Sequence, residues 1–229
     1  MSRSLGREDD NGVLFHDRTE AGQLLAKRLM TYAARRDVLV LALPRGGVPV
    51  GFEVAQVLRC SSGCFRCAQV GVARPGGVGD GGACLGRVSG IGPRCPGSNP
   101  GIHEVINAAT VRAQSELERQ EDLYRGKRPA FDVRGKTVIL VDDGIATGST
   151  MRAAILALRQ QHSSRIVVAV SVAPATTCES LRDEADEVVC ICKLQRFGSV
   201  SEYYQNFSQV SDNEVTDLLR RAALIPGVG

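Results

Sequence analysis

The chain has 229 residues, 43% of them hydrophobic, and a net charge of +3. That length suits a single domain, residues 1–229, with one continuous core. No apolar run approaches the roughly 18–20 residues that span a bilayer, and no basic run or basic-aromatic stripe offers a nucleic-acid surface, so membrane and nucleic-acid partners are excluded.

Residues 1–13 are polar and include Glu8, Asp9 and Asp10. They lack the apolar stretch of an export signal, which predicts a flexible N-terminus and a cytoplasmic location. Residues 17–32 read as a helix: Ala21, Leu24, Leu25 and Leu29 share a face, and Asp17 with Glu20 has capping-box spacing. Residues 38–43 form a short apolar run, the pattern of a buried parallel strand. A Pro-Arg-Gly-Gly turn follows, then a helix over 48–58 with Pro49 in its first turn.

A long charged helix is predicted over 104–125, then a strand over 137–142, a Gly/Thr-rich loop and a helix over 150–161. Strand 165–172, helix 176–185 and strand 187–192 continue the alternation. A last helix over 211–223 opens on Ser211 and Glu214, again at capping-box spacing. Alternation of this kind implies an α/β fold, a parallel sheet with helices on both faces. Cys178, Cys190 and Cys192 read as small buried hydrophobes.

One stretch breaks the order. Residues 60–101 hold twelve of the 25 glycines, four prolines, five cysteines and one acidic residue, Asp80, without helical or strand periodicity. So long an unpatterned insert is anomalous inside a compact domain. Cys60, Cys64 and Cys67, with Cys84 and Cys95, approach the ligand spacing of a zinc site.

The most informative run is Val138 to Thr150. An apolar strand ends in Asp142 and Asp143, and a small-residue loop (Gly144, Ile145, Ala146, Thr147, Gly148) opens a helix at Ser149 and Thr150. The strand end sets both carboxylates at the carboxyl edge of the sheet, where open α/β folds bind ligands. Carboxylates accept hydrogen bonds from sugar hydroxyls. The loop offers backbone N–H groups and three hydroxyls to a phosphate at a helix N-terminus. A nucleotide-binding P-loop would need a Lys before the final Ser/Thr, and none is present. A plain helix cap accounts for Ser149 and Thr150 but leaves the paired acids unexplained.

This run resembles the phosphoribosyl-pyrophosphate signature of the type I phosphoribosyltransferases. The resemblance implies that Asp142 and Asp143 hold the ribose hydroxyls and that Ala146, Thr147, Gly148, Ser149 and Thr150 cradle the 5′-phosphate beside Gly144. It also implies a Mg²⁺ ion bound through the substrate, with no metal site made by the protein alone. Leu43-Pro44-Arg45-Gly46-Gly47 resembles the family's pyrophosphate loop, with Arg45 as the charged donor to phosphate and Gly46 and Gly47 exposing backbone N–H groups. Arg45, Asp142 and Asp143 are thus the expected catalytic set. Residues 14–58 and 102–220 share the likeness, including Arg125 to Pro129 and Phe207 to Asp212.

The expected partners are phosphoribosyl pyrophosphate and an unidentified nitrogenous base, with a homodimer allowed. Ala146 stands where 6-oxopurine enzymes carry an Asp, which disfavours hypoxanthine and guanine as acceptors. Phe197, Tyr203, Tyr204 and Phe207 are available either to stack on a base or to pack among themselves. A regulator that binds the donor without turnover is the alternative to an enzyme.

Residues 59–100 depart from the family. Members carry there a strand ending in a Val-Arg-Lys-Leu-Gly-like run and, later, a Glu-Leu-Ala-Met-Gly-Ala-like run. A back-translation of residues 59–71 read one base later yields AAPLDVFVVRKLG, and its continuation yields LPGQEELAMGA. Compensating frameshifts near 58–59 and 98–101 fit this reading, as does the preference of the chain for Arg over Lys, typical of GC-rich DNA. On that reading Ala68 and Gln69 replace the family's Arg-Lys pair, a central strand is lost, and the chain is an impaired copy. The zinc site is the rival reading of the same cysteines.

Overall fold

The computed structural model describes residues 15–59, 65–67, 119, 123–124 and 132–224, with the backbone alone at 65–67. Five parallel strands form one sheet: β1 (Val38–Ala42), β2 (Phe65–Cys67), β3 (Thr137–Asp142), β4 (Arg165–Pro174) and β5 (Glu187–Leu194), in the order β2-β1-β3-β4-β5. Among the described residues the helices with defined bounds are α1 (Arg18–Arg28), α2 (Gly47–Leu58), α3 (Ser149–Gln160), α4 (Ala175–Leu181) and α5 (Asp212–Ala222). This is the α/β fold with a parallel sheet flanked by helices that the alternation implies.

The central strands are apolar runs because neither of their faces meets water. All five residues of β1 and the first five of β3 are buried, and β4 is buried from Ile166 to Ala173. Leu25, Leu41, Leu58, Ile139, Leu140, Ile166 and Leu181 anchor the main core, each contributing about 1.5–3 kcal/mol when fully buried. Helix α2 packs on α1, α5 and the strands β1 and β3, whereas α4 packs on β4 and β5.

Both predicted N-caps form. Asp17 Oδ1 accepts from the Glu20 N–H at 2.9 Å, and Ser211 Oγ from the Glu214 N–H at 3.2 Å. Glu20 closes its box one residue early, on the His16 N–H at 2.5 Å.

Several boundaries differ from the sequence reading. The first helix stops at Arg28, and a 3-10 turn at Met30–Tyr32 follows, because the Leu29 N–H bonds Ala26 O and tightens the last turn. Helix α4 ends at Leu181, and a turn carries the chain through Ala185. Cys178 and Cys190 are buried, but Cys192 is only half-buried.

The largest correction falls in the anomalous stretch. Its pattern predicts no strand in 60–101, yet Phe65–Cys67 pairs in parallel with Val40–Ala42 and, among the described residues, ends the sheet. Three residues suffice because β1 supplies a preformed ladder edge. The rest of that stretch, the N-terminus and the candidate zinc cysteines' side chains lie outside the described residues. So does helix 104–125, save that Arg119, Leu123 and Tyr124 are helical. Among the described residues no helix is long and apolar enough to cross a membrane.

One further connection positions the site. Phe15 forms an isolated parallel bridge with Tyr204: the Phe15 N–H donates to Tyr203 O at 3.0 Å, and the Gln205 N–H donates to Phe15 O at 2.9 Å. Phe15, Ala21, Val172 and Tyr204 form a second, smaller core. The segment after the 3-10 turn Val200–Tyr203 is thereby held beside the start of α1 and the end of β3.

Candidate functional site

Asp142 ends β3 and Asp143 is the first residue past it. Asp143 is 7% exposed. Its Oδ2 accepts from Arg18 Nε at 2.7 Å, a pair whose side chains are 11% and 10% exposed. Its carbonyl accepts from the Tyr204 hydroxyl at 2.6 Å. Asp142 Oδ1 accepts from the Asp143 N–H at 2.9 Å.

Burial pushes the Asp142 carboxyl well above the usual carboxylate range, and the neighbouring Asp143 charge raises it further. Burial also raises Asp143, with Arg18 opposing the shift. Burial lifts the Tyr204 phenol as well. Two desolvated carboxyls side by side form a centre where a cation or hydroxyl donors would be favoured.

These shifts carry a stability consequence. A carboxyl with a raised folded-state pKa binds protons on folding, so its contribution is full below the unfolded pKa and is lost as pH rises through the folded one. Asp142→Asn, which cannot ionise, is therefore expected to melt above the wild type at neutral pH, with the advantage vanishing below about pH 4. Melting temperatures measured across that range check it. An equal difference at every pH would show that ionisation is not the cause.

The Arg-Gly-Gly turn lies against the same carboxylates. A Cβ on Gly46 would fall 2.1 Å from Asp143 Oδ2, and one on Gly47 would fall 2.7 Å from Val141 O. The Pro44–Arg45 peptide bond is cis. Arg45 Nε lies 3.2 Å from Asp212 Oδ1 at the start of α5, and Asp212 also accepts from the Tyr124 hydroxyl and from Arg119 Nη2 at 2.7 Å. The Tyr124 and Arg119 hydrogen bonds hold the Asp212 carboxyl below its ordinary pKa.

An open cavity of about 380 Å³ lies beside the turn, lined by Arg18, Arg45, Gly46, Phe207, Gln209 and Val210. The Arg18 guanidinium stands over the Phe207 ring at 3.9 Å and donates through Nη1 to Ser208 O at 2.8 Å.

The loop after the acids leads into α3. Ile145 is buried and its N–H bonds Val172 O at 3.0 Å, while Ala146, Thr147, Ser149 and Thr150 are exposed. Gly148, the N-cap of α3, has φ +75°, a left-handed conformation that costs glycine little. The Thr147 and Ser149 hydroxyls lie 3.0 Å apart. The loop thus sets the hydroxyls of exposed Thr147, Ser149 and Thr150 at the N-terminus of α3, an arrangement suited to an anion.

Of the aromatics, Tyr204 is buried and spent on packing: it meets Phe15 at 5.2 Å and Phe207 at 5.1 Å between ring centroids. Phe197 and Tyr203 stack on each other at 5.8 Å. Among the described residues no group of three or more His, Cys, Asp and Glu side chains is placed to hold a metal ion.

The structure brings Arg45, Gly46, Gly47, Asp142 and Asp143 together, and the Ala146–Thr150 loop continues from the two acids. Sequence reasoning misses Arg18 and Asp212; it singles out Tyr204 as an aromatic but not the bond of its hydroxyl to Asp143 O. Arg18 sits one residue past a cap that is plain in the sequence, but its partner lies 125 positions away. No local pattern reports such a pairing.

A phosphoribosyl transferase domain model matches residues 98–206. A Mycobacterium tuberculosis H37Rv protein named provisionally as a phosphoribosyl transferase is 35% identical over 214 residues, 91% of this chain and 47% of that protein. The chain therefore spans about half the length of the curated relatives it matches. The Actinobacillus pleuropneumoniae bifunctional protein PyrR is 45% identical over 53 residues, 23% of this chain and 30% of that protein. The crystal structure of TT1426 from Thermus thermophilus superposes with a TM-score of 0.69 at 33% identity, covering 94% of this chain and all of that one. A parallel sheet ending in paired acids and a small-residue loop, in a chain that carries the domain match and aligns over nine-tenths of its own length with the Mycobacterium tuberculosis protein and with TT1426, places it in the type I phosphoribosyltransferase family.

Proposed function

We propose that the chain transfers a phosphoribosyl group from phosphoribosyl pyrophosphate to a nitrogenous base or related nucleophile, with Mg²⁺ bound through the donor. The observation that carries this reading is the contact of Gly46 with Asp143, which sets a pyrophosphate-type loop against ribose-type acids at one sheet edge. The acids fit a substrate-borne Mg²⁺: this ion takes one or two carboxylates and completes its shell with water and phosphate oxygens. Bound there, it would supply charge neutralisation to the departing pyrophosphate.

The residues of the chain do the rest. Asp142 and Asp143 accept from the ribose hydroxyls and fix the sugar. The Ala146–Thr150 loop anchors the 5′-phosphate, and Arg45 with the N–H groups of Gly46 and Gly47 takes the pyrophosphate. The acceptor nitrogen then displaces pyrophosphate at the anomeric carbon, and charge developing on the leaving group meets donors already aimed at it. Cytoplasmic nucleotide metabolism is the setting this chemistry fits.

A radiolabelled donor incubated with Mg²⁺ and a panel of nitrogenous bases tests the reading, because transfer of label to any of them supports it. Binding without transfer favours instead a regulator or an impaired copy, the second reading, which the replacement of the family's Arg-Lys pair by Ala68 and Gln69 supports. Thr147→Val should weaken donor binding by about 0.5–1.5 kcal/mol, the worth of one neutral hydrogen bond. Calorimetric titration reads it. An unchanged affinity would remove that hydroxyl from the 5′-phosphate site.

A further inference from the structure

The carbonyl oxygens of Ala146 and Thr147 are both taken. Thr177 Oγ1 donates to Ala146 O at 2.8 Å, and Arg152 Nη1 donates to Thr147 O at 2.8 Å. Arg152 is itself fixed at two more points: Nε lies 2.7 Å from Glu184 Oε1, and Nη2 donates to Ser180 Oγ at 2.6 Å. Ser180 is held in turn, its hydroxyl donating to Thr177 O at 3.0 Å. All three guanidinium nitrogens are engaged, so the side chain acts as a brace between α3, the turn after α4 and the loop.

A peptide unit is planar and trans, so its carbonyl and the following N–H point in opposite directions. Holding Ala146 O and Thr147 O toward α4 therefore turns the N–H groups of Thr147 and Gly148 away from it. An anion loop needs this orientation, because a carbonyl swung into the site would set its negative end against phosphate. Thr147 is exposed, and the left-handed φ at Gly148 gives that backbone several accessible conformations. Something outside the loop has to choose among them. The geometry points to Arg152 and Thr177 as positioning residues that hold the phosphate loop in its anion-binding conformation. This rests on reading the Ala146–Thr150 loop as the 5′-phosphate site.

The test compares two probes, ribose 5-phosphate for the loop and inorganic pyrophosphate with Mg²⁺ for the Arg45 turn. Arg152→Met keeps the aliphatic stem and loses every hydrogen bond. Its dissociation constant for ribose 5-phosphate should rise about tenfold or more, and pyrophosphate binding should stay within about twofold. Thr177→Val should weaken ribose 5-phosphate about three- to tenfold, and Thr177→Ser, which keeps the hydroxyl, should restore it. Arg159→Met is the control. Arg159 ties α3 to the same turn, through Asp186 at 2.9 Å and Glu184 O at 3.1 Å, without touching the loop.

If Arg152→Met does not fold, the Thr177 pair decides alone. Equal weakening of both probes, or the same loss in Arg159→Met, overturns the inference in favour of general destabilisation. So does wild-type affinity in Arg152→Met and Thr177→Val. A wild type that binds pyrophosphate but not ribose 5-phosphate overturns the 5′-phosphate reading beneath it, an outcome visible before any variant is made.

Discussion

Asp143→Asn is expected to weaken binding of phosphoribosyl pyrophosphate by about 1.5–3 kcal/mol, and Asp142→Asn by a similar amount, because each loses charge-assisted hydrogen bonds to the sugar. The two variants should differ in stability. Asp142 is half-buried beside another carboxylate, and desolvation with that neighbouring charge raises its pKa, so its ionisation opposes folding and its neutralisation relieves the fold. Asp143 is paired with Arg18, whose side chain is 11% exposed, so Asp143→Asn leaves a nearly buried guanidinium without its counter-charge. A cost of about 3–5 kcal/mol is the upper range for breaking such a pair, moderated here by the Ser208 carbonyl and the Phe207 ring that Arg18 keeps.

Calorimetric titration with donor and Mg²⁺, run alongside urea melts, separates the two effects. Wild-type affinity in both variants would remove the acids from the donor site. Equal stability in both would remove the asymmetry that Arg18 imposes.

That asymmetry marks the boundary of what the sequence makes legible. Strands β1, β3 and β4 declare themselves because a strand buried on both faces must be an apolar run, and Val38–Ala42 and Val138–Val141 have no polar residue to hide. The Asp142–Thr150 loop is legible because its chemistry is local: acids, glycine and hydroxyls follow one another within nine positions. The N-caps at Asp17 and Ser211 are legible for the same reason. Arg18 and Asp212 are not. Each works through a partner far along the chain, and on its own helix each reads as an ordinary surface residue. Strand β2 escapes for another reason: Phe65–Cys67 is too short to show a period, and its pairing comes from β1 rather than from its own sequence.

The same long-range logic predicts the effect of Gly46→Ala. Taken locally the change is mild, for Gly46 has φ −60° and ψ −36°, a helical conformation that alanine favours. The obstacle lies nearly a hundred residues away. The new methyl would stand 2.1 Å from Asp143 Oδ2 and 2.7 Å from its Cγ. The carboxylate cannot step aside without breaking its 2.7 Å bond to Arg18, and its own backbone is held by Tyr204 at 2.6 Å. The turn cannot retreat easily either, since the Leu43 N–H bonds Val141 O at 2.9 Å and the Gly47 N–H bonds Leu43 O at 3.1 Å. Overpacking of this kind costs about 1–3 kcal/mol of stability. Donor affinity should fall by more than in either Asp variant, because the pyrophosphate turn and the ribose acid are displaced together. Gly135→Ala makes the contrast: its φ of +68° imposes a backbone cost, yet a Cβ there meets nothing within 4 Å, so a small loss of stability with unchanged affinity is expected. Urea melts and donor titrations on the two variants read both quantities. If Gly46→Ala binds donor as the wild type does, the turn and the acids are not interlocked, and the shared-edge site assembled around their contact does not hold.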